Sequence, residues 1–114
     1  MTKVTIFRNQ KGYIHKFVIA DHAGAGQEGQ DVPCAVVSTA SQYAILGLEE
    51  VLHLEGFTYA IMDGYLECEL SQGLSPEEEE KANILLQTMA LVLRQAADQF
   101  SEHITMQETT LREV

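Results

Sequence analysis

Cysteine, positive charge and long apolar runs are all scarce in this sequence. Cysteine occurs twice, at positions 34 and 68, with no Cys-x-x-Cys pair and no cysteine–histidine cluster at metal-ligand spacing. A disulfide framework or a structural zinc site is therefore not expected, and a reducing compartment would keep both thiols reduced. Lysine and arginine total 7 against 17 aspartates and glutamates, a formal net charge of −10. Phosphate backbones are gripped by clustered basic side chains, so direct nucleic-acid binding is not expected. Acidity on this scale either draws in a basic protein or simply keeps the chain soluble. No apolar run approaches the roughly 18–20 residues that span a bilayer. The opening Met1-Thr2-Lys3-Val4-Thr5-Ile6-Phe7-Arg8 alternates instead of forming the unbroken apolar centre of a signal peptide. The expectation is a cytoplasmic protein with no membrane association.

What is present is enough for one core. A chain of 114 residues, 46% hydrophobic, fits a single globular domain spanning residues 1–114. Val4, Ile6 and Phe7 form a β-rich run, Asn9-Gln10-Lys11-Gly12 supplies a turn, and Tyr13 to Ile19 is a second β-rich run. Together they predict a hairpin. His15 lies in its second strand with no partner nearby in sequence, as an ordinary strand histidine does.

The stretch from Asp21 to Ser38 carries the chemistry. It runs through His22, passes Gly24, Gly26 and Gly29, and reaches Asp31-Val32-Pro33-Cys34. The glycines lift steric limits on the backbone at a cost in ordering entropy, which suits a loop that orders over a bound substrate. Pro33 belongs in a first helical turn, where its missing N–H is no loss. Either Asp31 or Val32 takes the cap position, and both choices leave Cys34 in the first turn. Cys34, Val37, Ser41, Ala44, Ile45, Leu48, Val51 and Leu52 then recur at helical spacing as one apolar stripe. Gly56 is the expected left-handed end of this helix, and His53 the expected partner of its C-terminal dipole.

A helix start carries partial positive charge and amides without intrahelical acceptors. A thiol there ionises more readily, and the thiolate is the nucleophile. With His22 brought back to it, Cys34 gains a general base. Helix-start amides would then hold an oxyanion. His22 would also protonate a leaving amine, and water would release the acyl group through the same base. Asp31 either orients His22 or caps the helix. Ser38 hydrogen-bonds either near the thiol or back to its own helix. The chemistry calls for neither a metal nor an organic cofactor.

The second half repeats the strand–strand–helix order. Phe57–Met62 and Tyr65–Leu70 flank Asp63-Gly64, a two-residue hairpin signal. Leu66, Cys68 and Leu70 alternate with Glu67 and Glu69, which turns Cys68 to the core. Ser75-Pro76-Glu77-Glu78 is a capping box with proline at the first helical position. The second helix's stripe runs from Ala82 to Phe100, His103 to Glu108 predicts a last strand, and Thr109 to Val114 is expected to fray. No other internal repeat and no low-complexity tract is present. The order ββαββαβ predicts an α+β two-layer sandwich, an antiparallel-rich sheet with two helices.

The central stretch resembles the ribosomal-processing cysteine protease family (Prp), whose pattern is Gly-His-Ala, a glycine-containing loop and Asp-x-x-Cys-Ala-x-x-Ser. The matching residues are His22-Ala23, Gly29, Asp31, Cys34-Ala35 and Ser38, with eleven residues between histidine and cysteine. The likeness continues into Ile84-Leu85-Leu86-Gln87-Thr88-Met89 and so covers nearly the whole chain. It implies a homodimeric endopeptidase that removes an N-terminal extension from large-subunit ribosomal protein number twenty-seven, cutting next to aromatic residues. Two positions depart from the pattern: Asp21 replaces the usual glycine, and Pro33 replaces the usual aliphatic residue. The competing expectation is an acidic binding module that holds a basic ribosomal protein or assembly factor without cutting it.

Overall fold

A computed structural model describes residues 1–21 and 31–111. The elements are β1 (Thr2–Arg8), β2 (Ile14–Asp21), α1 (Asp31–Leu46), β3 (Phe57–Met62), β4 (Tyr65–Leu70), α2 (Pro76–Gln99) and β5 (Ile104–Thr110). The strands form one sheet in the order β3-β4-β2-β1-β5. Every neighbouring pair is antiparallel except β1 with β5. This is the expected α+β fold with order ββαββαβ.

The registers explain the core. Val4 opposes Ile19, Ile6 opposes Phe17, and Phe17 opposes Cys68. Strand side chains alternate faces, so these residues share the face that α1 and α2 cover. Phe17, Ile6, Leu48, Leu86, Leu93, Val4 and Val37 are sealed there in one cluster. The opposite face carries Lys16 beside Glu67, 3.9 Å apart, with the lysine ammonium above the Phe7 ring.

Local signals set the turns and helix starts. Asn9 Oδ1 accepts from the N–H groups of Lys11 and Tyr13, and Gly12 takes a φ of 87° in that turn. In the second hairpin Gly64 takes a φ of 71°. Ser75 Oγ accepts from the Glu78 N–H at 3.1 Å, while the Glu78 carboxylate accepts from the Ser75 N–H at 3.0 Å. That reciprocal pair satisfies two donors at the α2 start.

Three expectations need correction. The first helix does not run regularly to a cap at Gly56. Past Leu46 it widens into a π-helical turn over Gly47–Val51, closed by the Leu52 N–H on the Gly47 carbonyl at 3.0 Å. An i→i+5 turn rotates the stripe off its 3.6-residue period, so Val51 is exposed although Leu48 is sealed. Gly47 lets the helices approach: a β-carbon there would lie 2.8 Å from Leu85 Cδ1. Second, the left-handed residue just beyond this turn is His53, with φ 49°, and not Gly56. Gly56 serves a close approach instead, because a β-carbon would meet Leu74 Cδ2 at 2.5 Å. Third, Thr109 and Thr110 do not fray. They pair with Phe7 and Arg8 at the end of β5.

That end of the sheet is tied by charge. Glu108 accepts from Arg8 Nε and Nη2 at 3.0 and 2.8 Å and from Arg94 Nη2 at 3.0 Å, linking β5 to β1 and α2. Hydrogen bonding from Arg8, with Arg94 adding to it, holds the Glu108 carboxyl below the usual carboxylate range against the pull of partial burial. A depressed folded-state value contributes stability above the unfolded value and loses it as pH falls through the folded one. Glu108→Gln is therefore expected to cost about 0.5–1 kcal/mol at neutral pH, the discount reflecting solvent screening of a partly exposed pair. The gap to wild type should close in acid below about pH 4. Urea denaturation at both pH values checks this, and a gap independent of pH would exclude the linkage.

Candidate active site

The α1 start is set by backbone chemistry. The helix begins at Asp31, so Pro33 is its third residue and Cys34 its fourth. Asp31 and Val32 are thus inside the helix, which starts one residue earlier than a cap at Asp31 would give and two earlier than a cap at Val32 would. Pro33 is sealed against the core, and its missing N–H falls among the amides that have no intrahelical acceptor. Cys34 lies within the first turn of α1 and is half-buried.

The sulfur opens into a cleft of about 220 Å³. One wall is α1, through Cys34, Ser38 and Gln42; the other is the β3–β4 hairpin, through Ile61, Met62, Gly64 and Tyr65. Thr2, at the start of β1, closes the floor, with Oγ1 3.6 Å from Cys34 Sγ. Ser38 Oγ accepts from Gln42 Nε2 at 2.9 Å, a bond within its own helix. Ser41, fully buried, donates to the Val37 carbonyl. Tyr65 donates to Glu67 Oε2 at 3.0 Å, and that bond holds its phenol above the ordinary value.

The two thiols occupy opposite environments. Cys68 is 2% exposed between β2 and β3, and burial pushes it up to about 12, with the Glu69 charge adding to the shift. It is a core side chain, as the strand alternation predicts. Cys34 instead faces an open cleft bounded by the edge strand β3. Edge strands carry backbone groups able to pair with another chain.

Of the other residues singled out by the sequence, His22, Gly24, Gly26 and Gly29 lie outside the described residues, as do the side chains of Asp21 and Asp31. The Asp21 backbone ends β2 opposite Thr2. His15 pairs with Glu69 Oε2 across the sheet at 3.3 Å, a partner supplied by β4 rather than by nearby sequence. Thr2 and the hairpin wall escaped the sequence-based expectation. They reach the cleft only through strand pairing, and no local pattern marks them. Among the described residues, no helix is long and apolar enough to cross a membrane.

A thiol in the first turn of a helix, set in an open cleft of a small α+β fold, defines a candidate thiol hydrolase. The sequence matches the family model for the cysteine protease Prp over residues 1–105. The chain belongs to this family and is a cysteine protease, a hydrolase of peptide bonds. It is 28% identical over 109 residues to the ribosomal processing cysteine protease Prp of Bacillus subtilis (strain 168), covering 91% of this chain and 94% of that protein. A Streptococcus mutans protein of known structure matches at a TM-score of 0.78 with 27% identity, covering 97% of this chain and 96% of the other. The fold also matches an essential ribosomal processing protease Prp of S. aureus, crystallised with a substrate peptide. That match has a TM-score of 0.81 at 22% identity and covers 96% of this chain and 100% of that one.

Proposed function

We propose that this protease removes the N-terminal extension of large-subunit ribosomal protein number twenty-seven during ribosome maturation, by Cys-His nucleophilic catalysis in the cytoplasm. The observation that carries the proposal is the placement of Cys34, half-exposed in the first turn of α1 and facing a cleft walled by an edge hairpin. The family resemblance suggests the substrate, and the B. subtilis relative, a ribosomal processing protease, supports a ribosomal one.

In this mechanism His22 accepts the Cys34 proton and the thiolate attacks the scissile carbonyl. Amides of the α1 start hold the oxyanion, with Pro33 contributing none because it has no N–H. His22 then returns the proton to the leaving amine, and a water activated by the same imidazole hydrolyses the thioester. Asp31 orients His22, Ser38 supports the helix one turn beyond Cys34, and the glycine-bearing loop from Asp21 closes over the peptide. The extended substrate adds to the open edge of β3, beside Ile61 and Met62, which gives main-chain hydrogen bonds without demanding one sequence. A net charge of −10 favours encounter with a basic ribosomal protein and disfavours nucleic acid as a direct partner.

The active form is proposed to be a homodimer. Across α1 from the sulfur, a groove between α1 and α2 exposes Val32, Tyr43 and Val92. Apolar exposure of this kind is a surface a second copy can cover. Sedimentation equilibrium is expected to give twice the chain mass.

The deciding experiment incubates full-length ribosomal precursor with the protein and follows intact mass, with Cys34→Ala as control. Loss of the extension in wild type alone supports the proposal. A precursor that is bound but left uncut by both proteins would remove this ribosomal protein as the substrate.

A further inference from the structure

The hydroxyl of Thr2 sits where the proposed nucleophile needs it. Thr2 is 4% exposed, on the helix-facing side of β1. Its N–H is fixed on the His103 carbonyl at 2.8 Å, and its cross-strand partners are Asp21 and Ile104. The residue is thus held on both sides and cannot drift from α1. Burying a hydroxyl is costly unless a partner satisfies it, and a valine would fill nearly the same space without that cost. The partner here is sulfur: Thr2 Oγ1 lies 3.6 Å from Cys34 Sγ, on the floor of the cleft.

We infer that Thr2 is a positioning residue for Cys34, fixing the sulfur's direction and donating its O–H to the thiolate. The inference rests on the proposed nucleophilic role of Cys34. A hydroxyl can donate or accept, whereas a neutral thiol is a weak donor and a weak acceptor. Ionised sulfur is the much stronger acceptor. The contact is therefore stronger with the thiolate than with the thiol. Among the described residues lining the cleft, Tyr65 is the other titratable group, and its O–H is committed to Glu67.

The test is the pH dependence of Cys34 alkylation by iodoacetamide, read by peptide mass so that Cys68 is counted separately. Thr2→Val keeps the shape and removes the hydroxyl; Thr2→Ala removes it with less bulk; Thr2→Ser keeps it. Thr2→Val and Thr2→Ala are expected to raise the alkylation midpoint by about one pH unit, while Thr2→Ser stays within about 0.3 unit of wild type. At a pH below both midpoints the rate should fall only about threefold, because a more basic thiolate is also intrinsically more reactive. An unchanged midpoint in the hydroxyl-free variants would overturn the inference, and so would an equal shift in Thr2→Ser. Thermal unfolding of each variant identifies any that has lost its fold, leaving the remaining hydroxyl-free variant to be compared with Thr2→Ser. Alkylation requires no peptide substrate, so a midpoint shift in a protein that cuts no ribosomal precursor would uphold Thr2 while removing the proposed substrate.

Discussion

Cys34→Ala is expected to lower cleavage of the ribosomal precursor by at least about 10³-fold, to the level of background, while leaving peptide binding within a fewfold of wild type. The reason is that the proposed covalent catalysis passes through sulfur. Alanine keeps the α1 start, the cleft walls and the β3 edge, yet offers no atom to attack a carbonyl. Binding and chemistry are thereby separated in one variant: peptide affinity by titration calorimetry should persist where turnover is lost. The matched control is Cys68. That thiol is sealed between strands and held in its neutral form up to about 12, so iodoacetamide should modify Cys34 and spare Cys68 until the protein unfolds. Cleavage that survives Cys34→Ala, or native-state labelling of Cys68 ahead of Cys34, would remove Cys34 from the chemistry.

The signals that were legible in the sequence are those whose cause is local. Ser75 and Glu78 lie three residues apart, and their capping bonds follow from that spacing alone. Leu66, Cys68 and Leu70 share a face because a strand alternates, whatever lies beside it. The Asp63-Gly64 turn needs one residue with positive φ, and glycine supplies it. What was not legible depends on contacts from far along the chain. The apolar stripe of the first helix predicts Val51 inside, but the approach of Leu85 to Gly47 accompanies a π-helical turn that exposes it. Thr109 and Thr110 look like a loose end until β1 provides a parallel partner. The site divides in the same way. Cys34 at a helix start is visible in Pro33 and the stripe that follows, whereas Thr2 and the Ile61–Met62 wall come from other strands. Their place in the cleft is a property of the sheet order.

His22→Ala is the second large effect, and it tests the pairing on which the proposed mechanism turns. General acid–base transfer contributes roughly 10²–10⁴-fold, and in the proposed mechanism one imidazole serves twice, in forming the thiolate and in protonating the leaving amine. A kcat/KM loss of about 10³–10⁴-fold is therefore expected, larger than the loss of either transfer alone. A merely structural histidine would lower activity without changing its shape on the pH axis. A catalytic one should also leave a distinct signature: the acid limb of the kcat/KM profile, set by thiolate formation, should move to higher pH in His22→Ala. The alkylation midpoint of Cys34 should rise with it, because in the proposed pairing an imidazolium favours the thiolate and alanine does not. Added imidazole should restore part of the rate by supplying the missing base in solution. A His22→Ala enzyme with wild-type pH limbs and no response to imidazole would show that the base lies elsewhere, and Cys34 would then need a different partner.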